Sequence, residues 1–256
     1  MLSIEIVLPT MKRFTSKTAI VTGSSRGIGA HLAGCLAREG AKVVVNYSGN
    51  RETADRVVAN IVAEGGQAVG VQADISRAAD VTRLFDVAIA RFGKVDLLVN
   101  NAGIMTCKRI EDTSDEDFDR MFGINVRGTF FMLREAAKRL EPGGRIVNMS
   151  SSVTRLMLPT YGAYAATKAA VEQLTRVFAK EVGARGITVN SVSPGPTNTE
   201  LFHVGKTQET IQKLSGMSAL GRIGEPDDIA RVVLFLLSDE AGWVSAQNIG
   251  ANGGFA

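Results

Sequence analysis

Tyr164 and Lys168 stand four residues apart in Tyr164-Ala165-Ala166-Thr167-Lys168. That spacing puts both side chains on one face of a helix. A phenol ordinarily ionises near pH 10, too high for easy proton transfer at neutral pH. An ammonium about 4 Å away favours the phenolate by roughly 4 kcal/mol at an effective dielectric near 20, at most about three pKa units before desolvation is counted. Such a tyrosine can protonate a developing alkoxide or take a proton from an alcohol. Ser151 lies 13 positions before Tyr164, at the end of an apolar run. A hydroxyl there could hydrogen-bond a carbonyl oxygen, polarising and orienting it. An exposed helical pair and a polar turn, flanked by Ser150 and Ser152, would read the same way. The two histidines, His31 and His203, fall in a helical pattern and an irregular segment and read as incidental. No His/Cys/carboxylate spacing suggests a metal, and no Ser–His–Asp arrangement is visible.

A second chemical signal is the stretch from Thr18 to Gly29, TAIVTGSSRGIG. An apolar run (19–21) enters a turn built on Gly23, Gly27 and Gly29 and leaves as an amphipathic segment (28–38). Glycines let a backbone turn tightly and approach a phosphate, and a helix N-terminus offers unpaired N–H groups with partial positive charge. The spacing Gly-x-x-x-Gly-x-Gly is a variant of the dinucleotide fingerprint, and the strand before and helix after are the context that confirms it. Its bland alternative is an ordinary strand-to-helix turn.

Apolar runs at 42–46, 68–72, 95–99, 145–149, 187–192 and 248–251 alternate with helical patterns at 52–64, 78–92, 115–140, 164–183 and 226–237. The span 197–224 is less regular. Near-continuous apolar strands are covered on both faces, so the pattern predicts an α/β fold with a doubly wound parallel sheet in three layers. Without a repeat, linker or shift in composition, the chain reads as a single domain over 1–256. It has a short N-terminal extension at 1–14 and a substrate-loop segment at 197–224. Ligands in such folds bind at the C-terminal ends of the strands. Gly23, Asn46, Asp74, Asn100, Ser151 and Ser193 all fall there.

The chain has 256 residues, 45% hydrophobic and 21% charged, with net charge +3. That is ordinary for a globular protein. No run of Lys or Arg exceeds two, as at Lys12-Arg13, Lys108-Arg109 and Lys138-Arg139. This argues against a nucleic-acid groove. Residues 1–9 lack the basic start of a signal peptide, and Met11 is an alternative initiation point. No stretch is long enough to span a bilayer, so no membrane partner is expected. Cys35 and Cys107 lack redox or metal spacing, which points to a reducing, cytoplasmic setting.

Taken together, these motifs resemble the short-chain dehydrogenase/reductase family. The resemblance is carried by Thr22 to Gly29, Asp74, Asn100-Asn101-Ala102-Gly103, Asn125, Ser151, Tyr164 with Lys168, and Pro194-Gly195, with family-like endings at Gly224 to Ala230 and Asn252 to Gly254. It implies a nicotinamide cofactor and hydride transfer to a ketone or from an alcohol. It implies that Tyr164 is the general acid/base, that Lys168 lowers its pKa and holds the nicotinamide ribose, and that Ser151 orients the carbonyl. Asn125 would kink its helix and hold a water linking Lys168 to solvent. Gly23, Ser25, Arg26, Gly27, Ile28 and Gly29 would cradle the diphosphate. Asp74 and Ile75 would meet the adenine, Asn101, Ala102 and Gly103 the ribose, and Pro194, Gly195 and Thr197 the carboxamide side. The family's usual subunit interface, on 115–140 and 164–183, implies a homotetramer.

Cofactor choice follows from charge. An acid at the end of the second strand would bond the 2′-hydroxyl of NAD and repel a 2′-phosphate. Asn46, followed by Tyr47 and Ser48, holds that place, and Arg26 is available to a phosphate. NADP(H) is therefore expected, and an Asp at 46 is expected to shift preference toward NADH. The pocket walls, from Ser152, Val153, Leu158, Tyr161, the loop 104–107 and 199–220, are largely apolar. They suit a hydrophobic ketone or secondary alcohol, and the reading is a carbonyl reductase. A 3-oxoacyl-[acyl-carrier-protein] reductase is the near alternative. Leu140 to Gly144 lacks the basic residue expected for carrier docking, although Arg185 matches a second basic site. A non-catalytic NADP(H)-sensing protein is the alternative of another class.

Overall fold

A computed structural model describes residues 12–256 of the chain. Its seven strands are β1 (Thr18–Val21), β2 (Lys42–Tyr47), β3 (Gln67–Gln72), β4 (Leu97–Asn100), β5 (Arg145–Met149), β6 (Thr188–Pro194) and β7 (Asn248–Ala251). They form one sheet in the order β3-β2-β1-β4-β5-β6-β7, and every pairing is parallel. The order reverses between β1 and β4. A doubly wound sheet opens a crevice at that point, beyond the strands' C-terminal ends.

The strands look uniformly apolar in sequence, yet alternate residues serve opposite faces. Ala19 and Val21, Val43 and Val45, Leu97 and Val99 pack with α1 (Gly27–Arg38) and the C-terminal helix Pro226–Leu237. Ile20, Val44 and Leu98 pack instead with α3 (Ala78–Phe92) and the helices that precede and follow β5. α2 (Arg51–Ala63) joins β2 to β3, with the Asn50 side chain accepting from Thr53 N to cap it. Residues on both faces are buried, which is the three-layer arrangement expected from the sequence.

Three boundaries differ from the sequence reading. The span 115–140 is not one helix. It runs as α4 (Asp115–Phe122), a π-helical turn (Gly123–Gly128) and α5 (Thr129–Arg139). Gly128 explains part of this, because a Cβ there would lie 2.7 Å from Ile75 Cδ1, so the chain approaches β3's loop closely. After α6 (Gly162–Val182), the segment expected to be irregular contains α7 (Glu200–His203) and α8 (Gln208–Met217). Each is started by a threonine, Thr199 and Thr207, whose hydroxyl accepts a first-turn N–H. The next helix, α9 (Pro226–Leu237), has Pro at its first position and a Glu225/Asp228 capping box. Finally, the domain begins earlier than an extension over 1–14 implies: Phe14 is only 1% exposed and packs in the core. Met11, the alternative start, lies outside the described residues.

Candidate active site

The C-terminal end of β5 releases Ser150, Ser151 and Ser152 beside the first turns of α6, which carries Tyr164 and Lys168. Lys168 is buried, and its Nζ donates to Met149 O at 2.8 Å and lies 5.7 Å from the centre of the Tyr164 ring. Burial pushes the Lys168 ammonium down to about 8. Burial also pushes the Tyr164 phenol up to about 12, and a hydrogen bond with Ser151 acts in the opposite direction. The three groups expected to work together are thus together. The expected lowering of the phenol's pKa by the ammonium is not what the polypeptide alone achieves: desolvation dominates. Tyr161 meets Tyr164 edge-on, ring centres 6.5 Å apart. Its own phenol is pushed up to about 12 by burial and by its hydrogen-bonded neighbour Cys107. The loop 104–107 therefore does reach the reacting side of the site.

Asn125 falls inside the π-helical turn, where the expected kink lies. Its side chain clasps the loop beyond β4: Oδ1 accepts from Ile104 N at 2.9 Å, and Nδ2 donates to Ile104 O at 2.9 Å and Thr167 Oγ1 at 3.0 Å. Its backbone oxygen accepts from Thr129 Oγ1 at 2.8 Å. Thr167 in turn donates to Tyr164 O at 2.7 Å. Asn125 thereby ties the β4 loop to the helix that carries the tyrosine.

The glycine turn occupies the crevice between β1 and β4. Gly23 has φ +60°, and a Cβ there would lie 2.8 Å from Ala102 Cα. At Gly29 a Cβ would come within 2.5 Å of Asn101 Nδ2 and 2.6 Å of Gly23 O. Asn101 holds this packing by donating to Thr22 O and Gly23 O. Thr22, which opens the motif but had no role assigned to it, accepts at its hydroxyl from both Asn101 N and Ala102 N. Gly103 has its bare face toward Asn125 Oδ1 (3.3 Å) and Lys168 Nζ (3.4 Å), so any larger residue would fill the space beside the ammonium. A cradle of backbone without side chains, at a helix N-terminus and opening toward a buried lysine, fits a dinucleotide diphosphate and ribose. Ile28 is half-buried at the start of α1, while Ser25 and the exposed Arg26 border the opening.

The residues expected around the adenosine divide. Asp74 stays at the groove, one oxygen accepting from Ser76 N and Oγ. With Ser48, Gln72, Arg77, Asp80 and Arg83 it lines a cavity of about 500 Å³. Asn46 does not face that groove. It is 2% exposed; Oδ1 accepts from Gly23 N, and Nδ2 donates to Ala73 O at 3.0 Å, Val71 O at 3.3 Å and Tyr47 O at 3.4 Å. It props the glycine turn from behind, so the reading of Asn46 as the ribose-facing residue is corrected. The Tyr47 and Ile75 side chains are likewise buried in the core. Ser48 is the first exposed side chain after β2.

Pro194 ends β6, and a Cβ on Gly195 would lie 3.0 Å from Asn252 Cα. Thr197 is buried, its hydroxyl on Gly195 O at 2.9 Å, and it bridges to Gly224. That bridge closes the segment 197–224 into a flap pinned at both ends. The flap reaches the glycine turn: Arg26 and Glu200 approach to 3.9 Å, and Thr199 lies 3.7 Å from where a Gly27 Cβ would be. Large apolar side chains stand exposed on the segments after β4 and β5 and on the flap: Ile110, Met157, Leu201, Val204, Met217 and Leu220. Ser152 and Val153, expected in the pocket wall, are buried, and Ser152 Oγ donates to Pro194 O at 2.9 Å.

Elsewhere, the fold brings His31, Cys35 and Asp227 together, which sequence spacing had not suggested. The Arg38 guanidinium donates to Cys35 Sγ, and Arg231 and His31 both hold Asp227. Arg38, Arg231 and the His31 ring occupy these polar atoms, and the trio reads as a clamp between α1 and α9. Among the described residues, no helix is long and apolar enough to cross a membrane.

Comparison with known proteins agrees with this geometry. The family profile described as Enoyl-(Acyl carrier protein) reductase matches residues 23–256. An Arabidopsis thaliana protein named NADPH-dependent aldehyde reductase-like protein, chloroplastic, is 45% identical over 253 residues, covering 93% of this chain and 94% of its own. A short chain dehydrogenase from Burkholderia cenocepacia, solved in complex with NADP, is 37% identical with TM-score 0.90, covering 95% of this chain and 99% of its own. The landomycin C-6 ketoreductase LanV, solved with NADP and rabelomycin, is 39% identical with TM-score 0.87, covering 95% and 97%.

Proposed function

The chain belongs to the short-chain dehydrogenase/reductase family, and from that membership we propose that it is a carbonyl reductase interconverting a hydrophobic ketone and its secondary alcohol. It is an oxidoreductase, and NADP(H) is its cofactor. When bound, the cofactor supplies or accepts the hydride; the protein supplies placement and a proton. Gly23, Ser25, Gly27, Ile28 and Gly29 would hold the diphosphate, Gly103 and Lys168 the nicotinamide ribose, and Asp74 the adenine. Ala102, Pro194, Gly195 and Thr197 would border the remainder. Arg26 and Ser48 would take the 2′-phosphate.

The observation that carries the reading is the convergence of Ser151, Tyr164 and Lys168 beside the bare face of Gly103. In the reductive direction, Ser151 Oγ donates to the carbonyl oxygen and fixes it against the phenol. Tyr164 gives its proton to that oxygen as negative charge develops. The buried ammonium stabilises the phenolate that is left, a charge interaction that strengthens where water is excluded. A non-catalytic sensor would need only the glycine cradle.

The apolar rim from Ile110, Met157, Leu201 and Leu220 supports a bulky, lipophilic substrate. LanV, crystallised with the polycycle rabelomycin, makes an aromatic polycyclic ketone a reasonable member of that class. The 3-oxoacyl carrier-protein alternative is less well supported. The basic residue that favoured it, Arg185, donates from its guanidinium to Ala137 O and Leu140 O, closing the C-terminal end of α5. An apolar groove lined by Phe122, Val126, Phe130, Leu174 and Val177 runs between α6 and the α4–α5 helix. It supports the homotetramer, in which a second copy covers this face. Two cysteines without a disulfide, Cys35 and Cys107, suit the cytoplasmic location.

The test is Tyr164→Phe. We expect reduction of 2-tetralone by NADPH to fall at least a thousandfold, about the scale of losing a general acid together with its charge partner, with NADPH affinity retained. Turnover within tenfold of wild type would overturn the role of Tyr164. Acetoacetyl-CoA, acetoacetyl carrier protein and 2-tetralone, each with NADPH and NADH, separate the substrate readings.

A further inference from the structure

Glu172 lies on α6 four residues beyond Lys168 and eight beyond Tyr164, so it continues their stripe along the helix. It is half-buried, and no charged partner accompanies it among the described ion pairs. Its Oε1 instead accepts two hydroxyls: Ser150 Oγ at 2.7 Å and Thr154 Oγ1 at 2.7 Å. Those residues flank Ser151 on either side. Thr154 Oγ1 also lies 3.0 Å from Ser151 O, and Ser150 Oγ 3.4 Å from Lys168 O. Within its own loop, the Ser151 hydroxyl accepts only a long contact, from Val153 N at 3.4 Å. Its position therefore depends on the backbone that carries it. Short O–H···O⁻ bonds to a carboxylate are among the stronger hydrogen bonds in proteins. Two of them on one oxygen form a bracket across the loop.

We propose that Glu172 is a positioning residue for carbonyl reduction, holding Ser151 over the tyrosine through the hydroxyls of Ser150 and Thr154. This rests on the reading above, in which Ser151 orients the substrate carbonyl. The carboxylate touches neither substrate nor cofactor. It sets where the loop ends and on which side of α6 the serine faces. Replacing it would leave two hydroxyls seeking other acceptors, and displacement of an orienting group by under an ångström costs turnover more than binding.

The experiment compares wild type with Glu172→Ala, Glu172→Gln, Ser151→Ala and the Ser151→Ala/Glu172→Ala pair in reduction of 2-tetralone by NADPH. Glu172→Ala should lower kcat about tenfold, with KM and the NADPH dissociation constant within about twofold. Glu172→Gln should stay within about twofold of wild type, because an amide oxygen accepts the same two hydroxyls. In the Ser151→Ala background, removing Glu172 should cost nothing further, since the group it places is gone. Equal losses in both backgrounds, a Glu172→Gln as slow as Glu172→Ala, or a Glu172→Ala at wild-type rate would each overturn the proposal. If Glu172→Ala does not fold, Thr154→Val removes half the bracket and should lose a few-fold in kcat, again only where Ser151 is present. Wild-type turnover in Ser151→Ala alone would instead overturn the role of Ser151, separating the two failures.

Discussion

Replacing Asn46 by Asp should destabilise the protein without switching its cofactor. In wild type, Nδ2 of this 2%-exposed side chain faces three main-chain carbonyls, at 3.0, 3.3 and 3.4 Å. A carboxylate keeps the oxygen that accepts from Gly23 N but turns an acceptor on Ala73 O, Val71 O and Tyr47 O. Leaving a buried partner unsatisfied costs about 1–3 kcal/mol, and an unpaired buried charge adds to it, so the loss should be about 3–5 kcal/mol. For a chain of this size that is about a 10 °C fall in Tm. The new carboxyl would escape by staying protonated, its folded pKa raised above the unfolded value of about 3.9. Stability held by a raised group is intact below the unfolded pKa and declines as pH rises through the folded one. The deficit against wild type should therefore be smaller at pH 5 than at pH 8. Ser48→Asp is the contrasting variant. Its exposed carboxylate, on the rim of the adenosine cavity, should repel a 2′-phosphate and weaken NADPH binding by about tenfold, about 1.4 kcal/mol, with Tm unchanged. Urea unfolding at both pH values and fluorescence titration with NADPH and NADH decide the matter. An Asn46→Asp protein with wild-type Tm and a preference for NADH would refute the assignment of Asn46 to the turn.

Two further outcomes follow, one from a buried cation and one from an exposed ring. Lys168→Met should abolish turnover yet raise Tm at pH 7, because the buried ammonium, held down to about 8 against an unfolded value near 10.5, costs about 3 kcal/mol of which a single bond to Met149 O returns about 1. The advantage should be full below pH 8 and vanish as pH rises to about 10.5, where both states shed the proton; a lower Tm at pH 7 would contradict it. Phe130→Asp, on a ring 47% exposed beside the groove along α6, should reduce the assembly to smaller species in analytical ultracentrifugation with little change in far-UV circular dichroism. An unchanged sedimentation coefficient would place the subunit contact elsewhere.

Strand positions and layering were legible because the strands read as short apolar runs ended by a polar or glycine residue, as in Ala19-Ile20-Val21 before Thr22. The proposed trio of Ser151, Tyr164 and Lys168 was legible from spacing only together with the family resemblance, since spacing alone fits an exposed helical pair equally well. What spacing could not supply was the direction of a side chain at a strand's last residues. Asn46 has the parity of Val44, which points into the core, while the exposed position comes two residues later at Ser48. Strand parity carries no such signal, because Asn46 and Ser48 share it and both faces of the sheet are covered. The π-helical turn at Gly123–Gly128 was not read from the apolar pattern, which runs on as one helix; only the resemblance, through Asn125, pointed to a kink there. Nor was α8, whose residues include few apolar ones and none that is buried. Glu172 had no distinguishing signal, since one carboxylate on a long helix is usually solvated. Only the fold brings Ser150 and Thr154 to it.

Burial also separates a working site from a scaffold. Among the described residues, the ionisable groups moved furthest from their ordinary range are Asp228, Tyr161, Tyr164 and Lys168. Asp228 is held down to about 2 chiefly by the side chain of Arg222, an exposed pair that needs no functional explanation. The other three are shifted first of all by desolvation, and they lie within one cleft. A fold under selection only for stability gains nothing from an ammonium with one carbonyl partner beside a phenol that cannot ionise near neutral pH. Perturbed groups gathered at one place mark a candidate functional site. The cost carried by Lys168 and Tyr164 is therefore itself an argument for catalysis, independent of any motif. It would fail if Lys168→Met and Tyr164→Phe both left turnover intact.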